Sequence, residues 1–301
     1  MTYRQLVKEA EKRLEKTDVS ENTAKLFMYE LLEQRGINMY AEDEKEADPE
    51  IAEIYEQGLN RLMEEEPLAY VLGYQWFYGR RIRVKEDVFI PRYETEELCA
   101  NVLALIDEHF TEAETVVADV ACGSGAIAIT LKKEEERLKV YATDLSEKAL
   151  ESAGKSAEDN EADICFLQGD LLEPLKKKGV RLDVLVCNPP YIAEDEILDR
   201  SVKDYEPHMA LFGGKDGLNF YRRLLKEAPE VIREKALIAF EIGYTQKEAL
   251  LELARQEYPN DRAEVLSDMK DCIGRGGDGF LETMTSEQLE AFAASVARKM
   301  N

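Results

Sequence analysis

From about residue 98 the chain alternates strand-length apolar runs with helix-length runs, and this alternation constrains the fold more than any other feature. Helical spacing over 98–110 is followed by a short apolar strand at 115–120. A helix then opens at 126–131, and a strand follows at 138–143. Ser146 is placed to cap a helix over 146–160, and further strands are expected at 164–167 and 182–187. The last of these is almost wholly apolar, which predicts burial on both of its faces. Beyond it the pattern predicts a helix over 218–233, a strand over 236–242 and helices over 246–258 and 286–300. Such alternation predicts an α/β fold: a doubly wound, mostly parallel sheet with helices on both faces.

The first 73 residues read differently, as a small helical domain. Ser20 is placed to cap a helix carrying Ala24, Phe27, Met28, Leu31 and Leu32, and Gly36 ends it. Asp48-Pro49 reads as a cap followed by proline in the first turn. Ile51, Ile54, Tyr55, Leu59, Leu62 and Met63 then form one apolar stripe. Pro67 opens a short helix and Gly73 closes it. Residues 74–90 are rich in aromatic and β-branched types around Gly79 and predict a linking β-hairpin. Arg80, Arg81, Arg83 and Lys85 make that hairpin basic. They read as a solvated edge or, alternatively, as a contact for a partner.

Composition narrows the partners. With 63 acidic and 39 basic residues the formal charge is −24, which repels a polyanion unless cations are concentrated locally. No run approaches the 18 apolar residues of a membrane span, and the charged segment 1–14 lacks the apolar core of a signal peptide. A cytoplasmic location and no membrane partner are therefore expected. Five cysteines without a C-x-x-C pair predict reduced, mostly buried thiols rather than disulfides or a metal site. His109 and His208 stand too far apart in sequence to suggest a shared role.

Two motifs carry chemistry. Asp119-Val120-Ala121-Cys122-Gly123-Ser124-Gly125 lies between an expected strand and an expected helix. Its glycines allow a tight turn and close approach of the backbone to a ligand. Asp144, at the end of the next strand, is placed to accept hydrogen bonds from ribose hydroxyls. Together they predict an adenosine-containing cofactor without separating NAD from S-adenosylmethionine. The second motif, Asn188-Pro189-Pro190-Tyr191, follows the apolar strand 182–187. The prolines stiffen the loop, while the Asn188 side-chain oxygen and the Pro189 carbonyl can accept both hydrogens of one planar NH2 group. Tyr191 offers a ring against that plane. Such a grip aims a weakly nucleophilic nitrogen at an electrophilic methyl and stabilises the charge that develops on it. Hydride transfer has no use for it.

With this motif after that glycine loop, the sequence resembles the class I (Rossmann-like) amino-methyltransferases. Further segments narrow the resemblance to the PrmC/HemK family: 67–73 (PLAYVLG), 90–96 (IPRYETE), 123–128 (GSGAIA), 188–192 (NPPYI), Glu206-Pro207, 213–218 (GGKDGL) and Glu241-Ile242-Gly243. The resemblance implies transfer of a methyl group from S-adenosyl-L-methionine, leaving S-adenosyl-L-homocysteine. The acceptor it implies is the glutamine amide nitrogen (N5) in the Gly-Gly-Gln motif of class 1 peptide chain release factors. Carried over by position, Ala121, Cys122, Gly123, Ser124, Gly125, Asp144, Asp170, Leu171 and Asn188 would contact the cofactor. Asn188, Pro189, Pro190 and Tyr191 would hold the substrate amide, Asn188, Pro189 and Tyr191 being the catalytic set. Arg92, with Glu94 and Thr95, would lie at the mouth of the site. The implied layout is a helical recognition domain at 1–73, the hairpin at 74–90, a catalytic domain at 91–283 and an accessory helix at 284–301.

The sequence departs from the family in two places. Ala121 stands where glycine is usual, and the glycine-rich run 276–279 is unfamiliar. No general base is expected, because a methylated amide nitrogen bearing an extra proton loses it to water; Asp119 reads as structural. A monomer, no metal and no direct nucleic-acid contact are expected. The alternatives are an adenine N6 or guanine N2 methyltransferase, a NAD-dependent dehydrogenase and a non-catalytic S-adenosylmethionine sensor.

Overall fold

The computed structural model describes residues 1–111 and 114–266. Its N-terminal part is helical: α1 (Tyr3–Leu14), α2 (Asn22–Glu33), α3 (Met39–Glu42), α4 (Pro49–Met63) and α5 (Leu68–Leu72). Asp48 caps α4 by accepting from the Glu50 amide, and Pro49 occupies its first turn, as the sequence predicts. Ser20 is not the cap of α2. That position falls to Glu21, whose side chain makes no capping bond. The apolar stripes of these helices meet in one core in which Phe27 stacks on Tyr55 at 5.3 Å. The Tyr55 hydroxyl, buried among them, donates to the Ala24 carbonyl at 2.9 Å.

A two-stranded hairpin follows, β1 (Tyr74–Phe77) against β2 (Arg80–Arg83), shorter than the span 74–90 suggests. The basic strip does not present free charge. Arg80 pairs with Glu134 at 2.7 Å, Arg81 with Glu33 at 3.1 Å and Lys85 with Glu151 at 3.5 Å, while Arg83 bonds Asp159. Glu30 of α2 accepts from Trp76 and from the Tyr74 hydroxyl. These pairs fasten the hairpin to the helices on either side, with the Arg81, Arg83 and Lys85 side chains still partly exposed.

The rest of the first unit, which extends to Gln246, alternates as expected. Its elements are α6 (Tyr93–His109), β3 (Thr115–Val120), α7 (Ala126–Glu134), β4 (Leu138–Asp144), α8 (Glu147–Asp159), β5 (Ile164–Gln168), α9 (Glu173–Lys178), β6 (Leu182–Cys187), α10 (Arg200–Tyr205), α11 (Asn219–Glu227) and β7 (Ile232–Phe240). Ser146 caps α8 through the Ala149 amide. α6 begins five residues before the expected start at Leu98. The helix expected over 218–233 stops at Glu227, a 3-10 turn at 228–230 intervenes, and β7 starts at Ile232. Pro229 explains this, since it can neither donate within a helix nor tolerate the preceding turn. Helices α9 and α10 are too short for periodicity to reveal, and α10 buries no residue at all.

The five strands run in the order β5-β4-β3-β6-β7, with every neighbour pair parallel. All six residues of β3 and all six of β6 are buried. Helices α6, α7 and α8 cover one face, packing on Val117, Val140, Val184 and Val186. Helices α9 and α11 cover the other, on Val116, Ala118, Leu185 and Cys187. Chain order reverses between β3 and β6, so the crevice at their carboxyl ends is where such sheets take ligands. Helix α12 (Lys247–Glu257) belongs to a second unit that runs from Lys247. The expected helix 286–300, the accessory segment 284–301 and Cys272 lie outside the described residues. Among those residues no helix is long and apolar enough to cross a membrane.

Candidate active site

A cleft of about 330 Å³ opens at this switch point. It is lined by Ala121, Cys122, Gly123 and Ser124 after β3, Asp144 at the end of β4, Asp170 and Leu171 after β5, and Asn188, Pro189, Pro190 and Tyr191 after β6. Segments distant in sequence thus converge because the carboxyl ends of adjacent parallel strands are neighbours. Of the anticipated residues Thr95 lines the cleft, while Gly125, Arg92 and Glu94 do not. Gly125 is one turn too deep: it begins α7 at φ +78°, where a Cβ would lie 2.9 Å from Ala153 Cβ. It is glycine so that α7 can sit close to α8. Arg92 bonds Glu206, whose side chain is 1% exposed, and its guanidinium lies 4.9 Å from the centroid of the Phe89 ring. It is thereby committed to holding the segment before α6 against the segment after α10.

The glycine loop suits a ligand. Gly123 has φ +53°, and a Cβ there would meet only Phe89, at 4.0 Å. Packing within the protein therefore does not demand glycine at this point; the backbone conformation and the open approach do. Asp144 Oδ2 accepts from the Gly123 amide and Oδ1 from the Ser146 amide, both at 2.8 Å. Each oxygen keeps a further lone pair for a hydroxyl in the cleft. Burial raises the Asp144 carboxyl above its usual range against these stabilising bonds. Asp170 pairs with Arg223 at 2.6 Å. Leu171 sits at φ +46°, its carbonyl held by the Thr143 hydroxyl at 2.9 Å.

Asp119 lies beneath the loop, fully buried. Its Oδ2 accepts from the Ala128 amide at 3.0 Å, while Oδ1 has no partner. Burial pushes this carboxyl up to about 8. It does not line the cleft.

The Asn188-Pro189-Pro190-Tyr191 loop is braced from behind. A Cβ on Gly213 would lie 2.4 Å from the Pro190 carbonyl oxygen, and one on Gly217 would lie 2.1 Å from that of Tyr191. Ile192 exchanges backbone bonds with Leu211 and Gly213, and the Gln246 amide donates to the Tyr191 carbonyl at 2.9 Å. The Asn188 Nδ2 donates to Thr95 Oγ1 at 3.1 Å. Tyr191 is half-buried, and burial beside Glu241 pushes its hydroxyl up to about 12. The glycine motif 213–218 is legible in the sequence but not its bracing role, since nothing local says which loop it touches. Glu241 stands in a segment that carries the resemblance, but its place beside Asn188 is not legible there, and Gln246 carries no signal of its own. His208, by contrast, rests on the Lys203 carbonyl, and the thiols of Cys99, Cys122 and Cys187 are buried and free.

Residues 5–73 match the family model described as PrmC N-terminal domain, and residues 100–205 match the one described as Methyltransferase small domain. The chain is 39% identical over 271 residues to a protein of Bacillus cereus named release factor glutamine methyltransferase, covering 89% of this chain and 96% of that one. The chain belongs to that family. A family member of the same name from Koribacter versatilis is 38% identical over 261 residues, 85% of this chain and 91% of its own length. Another from Bacillus subtilis is 43% identical over 206 residues, 67% and 72% of the two chains. Against this family background the alanine at 121 has a visible consequence. Its φ of +56° is a left-handed conformation that costs a residue bearing Cβ about 1 kcal/mol or more. Three of the six described non-glycine residues at positive φ, Asp87, Ala121 and Leu171, line the cleft, so backbone strain gathers where the ligand would sit.

Proposed function

We propose that this chain transfers a methyl group from S-adenosyl-L-methionine to the side-chain amide nitrogen (N5) of the glutamine in the Gly-Gly-Gln motif of class 1 peptide chain release factors. The observation that carries the reading is the Asn188–Tyr191 loop forming one wall of the cleft whose other walls are the 121–124 loop and Asp144. Homology over most of the chain with proteins named for that activity supports the substrate.

When bound, S-adenosyl-L-methionine supplies an electrophilic methyl on sulfur and departs as S-adenosyl-L-homocysteine. The residues of this chain do the rest. The open backbone of Ala121 to Ser124 would receive the methionine portion, Asp144 the ribose hydroxyls, and Asp170 and Leu171 would lie toward the adenine. Asn188 Oδ1 and the Pro189 carbonyl accept the two hydrogens of the glutamine NH2. This fixes the plane of the amide and directs its nitrogen at the methyl carbon. The same two oxygens would stabilise the charge that grows on the amide nitrogen as it takes the methyl group. The surplus proton then passes to water. Tyr191 packs its ring beside the amide, and Pro190 stiffens the loop.

The enzyme is proposed to act as a cytoplasmic monomer without touching nucleic acid or membrane. A nucleic-acid substrate draws no support from the hairpin, whose cations are spent on carboxylates of the same chain. The test is mass spectrometry of a purified class 1 release factor after incubation with the protein and S-adenosylmethionine. A gain of one methyl on the glutamine of the Gly-Gly-Gln peptide is expected. No gain, with cofactor binding confirmed separately, would overturn the assignment.

A further inference from the structure

The grip on the substrate requires that Asn188 present its oxygen, not its nitrogen, to the cleft. An asparagine amide is nearly symmetric in shape, so something behind it must decide which way it faces. Thr95, in the first turn of α6 and 2% exposed, receives the Asn188 Nδ2 on its hydroxyl at 3.1 Å. A hydroxyl can donate as well as accept, so Thr95 alone would tolerate either orientation.

Glu241 removes that ambiguity. It follows β7, and its backbone is pinned: its amide donates to the Cys187 carbonyl at 3.1 Å, and its carbonyl accepts from the Tyr221 hydroxyl at 2.7 Å. Its carboxyl group lies beside the side chains of Thr95, Asn188 and Tyr191; burial raises it above the usual carboxylate range, and these three neighbours act in the opposite direction. One of its oxygens, Oε2, is buried without a hydrogen-bond partner, and the residue does not line the cleft. An ionised carboxylate only accepts. With its hydrogen turned toward that unpartnered oxygen, the Thr95 hydroxyl offers its lone pair to Asn188 Nδ2.

We infer that Thr95 and Glu241 are positioning residues that hold the Asn188 amide with Oδ1 toward the substrate, and that Glu241 also anchors the Tyr191 hydroxyl so that the ring is what the substrate meets. This rests on the reading of Asn188 as an acceptor for the substrate amide. Thr95 also lines the cleft whereas Glu241 does not, and in this reading both act through the loop rather than on the reacting atoms.

The test compares Thr95→Val, Thr95→Ser and Glu241→Gln with the wild type, using the intact protein, a class 1 release factor and S-adenosylmethionine. Thr95→Val keeps the shape and removes the hydroxyl. It should lower kcat by about tenfold or more, the value of one buried hydrogen bond, and leave the release-factor KM and the cofactor Kd within about twofold. Thr95→Ser keeps the hydroxyl and should restore kcat. Glu241→Gln offers a donor beside an acceptor, so it no longer dictates the flip, and kcat should fall again by about tenfold. Unchanged cofactor affinity shows that each variant is folded. Wild-type kcat in both Thr95→Val and Glu241→Gln would overturn the inference, as would Thr95→Ser failing as badly as Thr95→Val. If instead the wild type transfers no methyl, or Asn188→Ala retains full turnover, the underlying reading of the site has failed and the inference falls with it.

Discussion

Gly125→Ala is expected to destabilise the protein by about 2–4 kcal/mol, and the structure separates that cost into two parts. The first is conformational: at φ +78° an alanine pays about 1 kcal/mol relative to glycine. The second is steric. The new Cβ would stand 2.9 Å from Ala153 Cβ and 3.4 Å from Ala153 Cα. The obstacle includes backbone, so relief requires α8 to move away from α7, an overpacking cost of about 1–3 kcal/mol. Gly73→Ala isolates the first part, because Gly73 has φ +82° and a Cβ there would meet nothing within 4 Å, and it should cost about 1 kcal/mol. Ala153→Gly should cost about 1 kcal/mol alone through helix propensity. Combined with Gly125→Ala it should recover about 1–2 kcal/mol relative to the sum of the two single changes. Urea unfolding followed by circular dichroism measures all four, and cofactor titration should show weaker binding for Gly125→Ala because the loop at 121–124 shifts with α7. Equal costs for Gly125→Ala and Gly73→Ala, or strict additivity in the double variant, would refute the close-packing argument.

Other expectations concern charge and chemistry. Asn188→Ala should cut turnover by about 10²-fold with cofactor affinity nearly intact, whereas Asp144→Ala should weaken cofactor binding by about 1–3 kcal/mol; calorimetry beside methyl-transfer kinetics would expose any reversal of these roles. Asp119 keeps its proton in the folded state up to about pH 8 against an ordinary value of 3.8, with burial as the main cause. The stability this supplies is fully present below 3.8 and is lost as pH rises toward 8, at up to about 1.4 kcal/mol per pH unit. Thermal melts from pH 5 to 9 should therefore fall more steeply in the wild type than in Asp119→Asn, and parallel curves would contradict the buried-acid account. Arg92→Ala strands the buried Glu206 carboxylate and should cost about 3 kcal/mol, more than Glu206→Gln, which leaves an arginine that is one-third exposed and can hydrate. Equal costs in urea would show that burial of Glu206 does not set the energetics.

Much of this protein is legible in local sequence. The capped start of α4 follows from Asp48-Pro49, and the strand at 182–187 follows from an unbroken apolar run, because caps and burial leave their chemistry in adjacent residues. The two motif loops could be assigned to strand ends because alternation of strand and helix orders the sheet. Where sequence reasoning failed, a local breaker was passed over, the deciding interaction was long-range or the element was short. Pro229 ended α11 early, α9 and α10 had too few residues for a period, and the cations of the hairpin looked free because their carboxylates lie far along the chain. Gly125 and Arg92 belong to the right motifs yet do not line the cleft, since motif membership does not say which way a residue faces.

The residue types of the site were set by the sequence alone: a glycine loop, an acidic strand end and an asparagine followed by two prolines and a tyrosine can be read without coordinates. The tertiary structure decided what those residues can do. Hydrogen-bond direction at Asn188 depends on Thr95 and Glu241, 93 and 53 positions away in the chain, brought behind it by α6 and β7. Closeness in a parallel sheet is a property of strand order, and strand order brings together side chains that no local pattern connects.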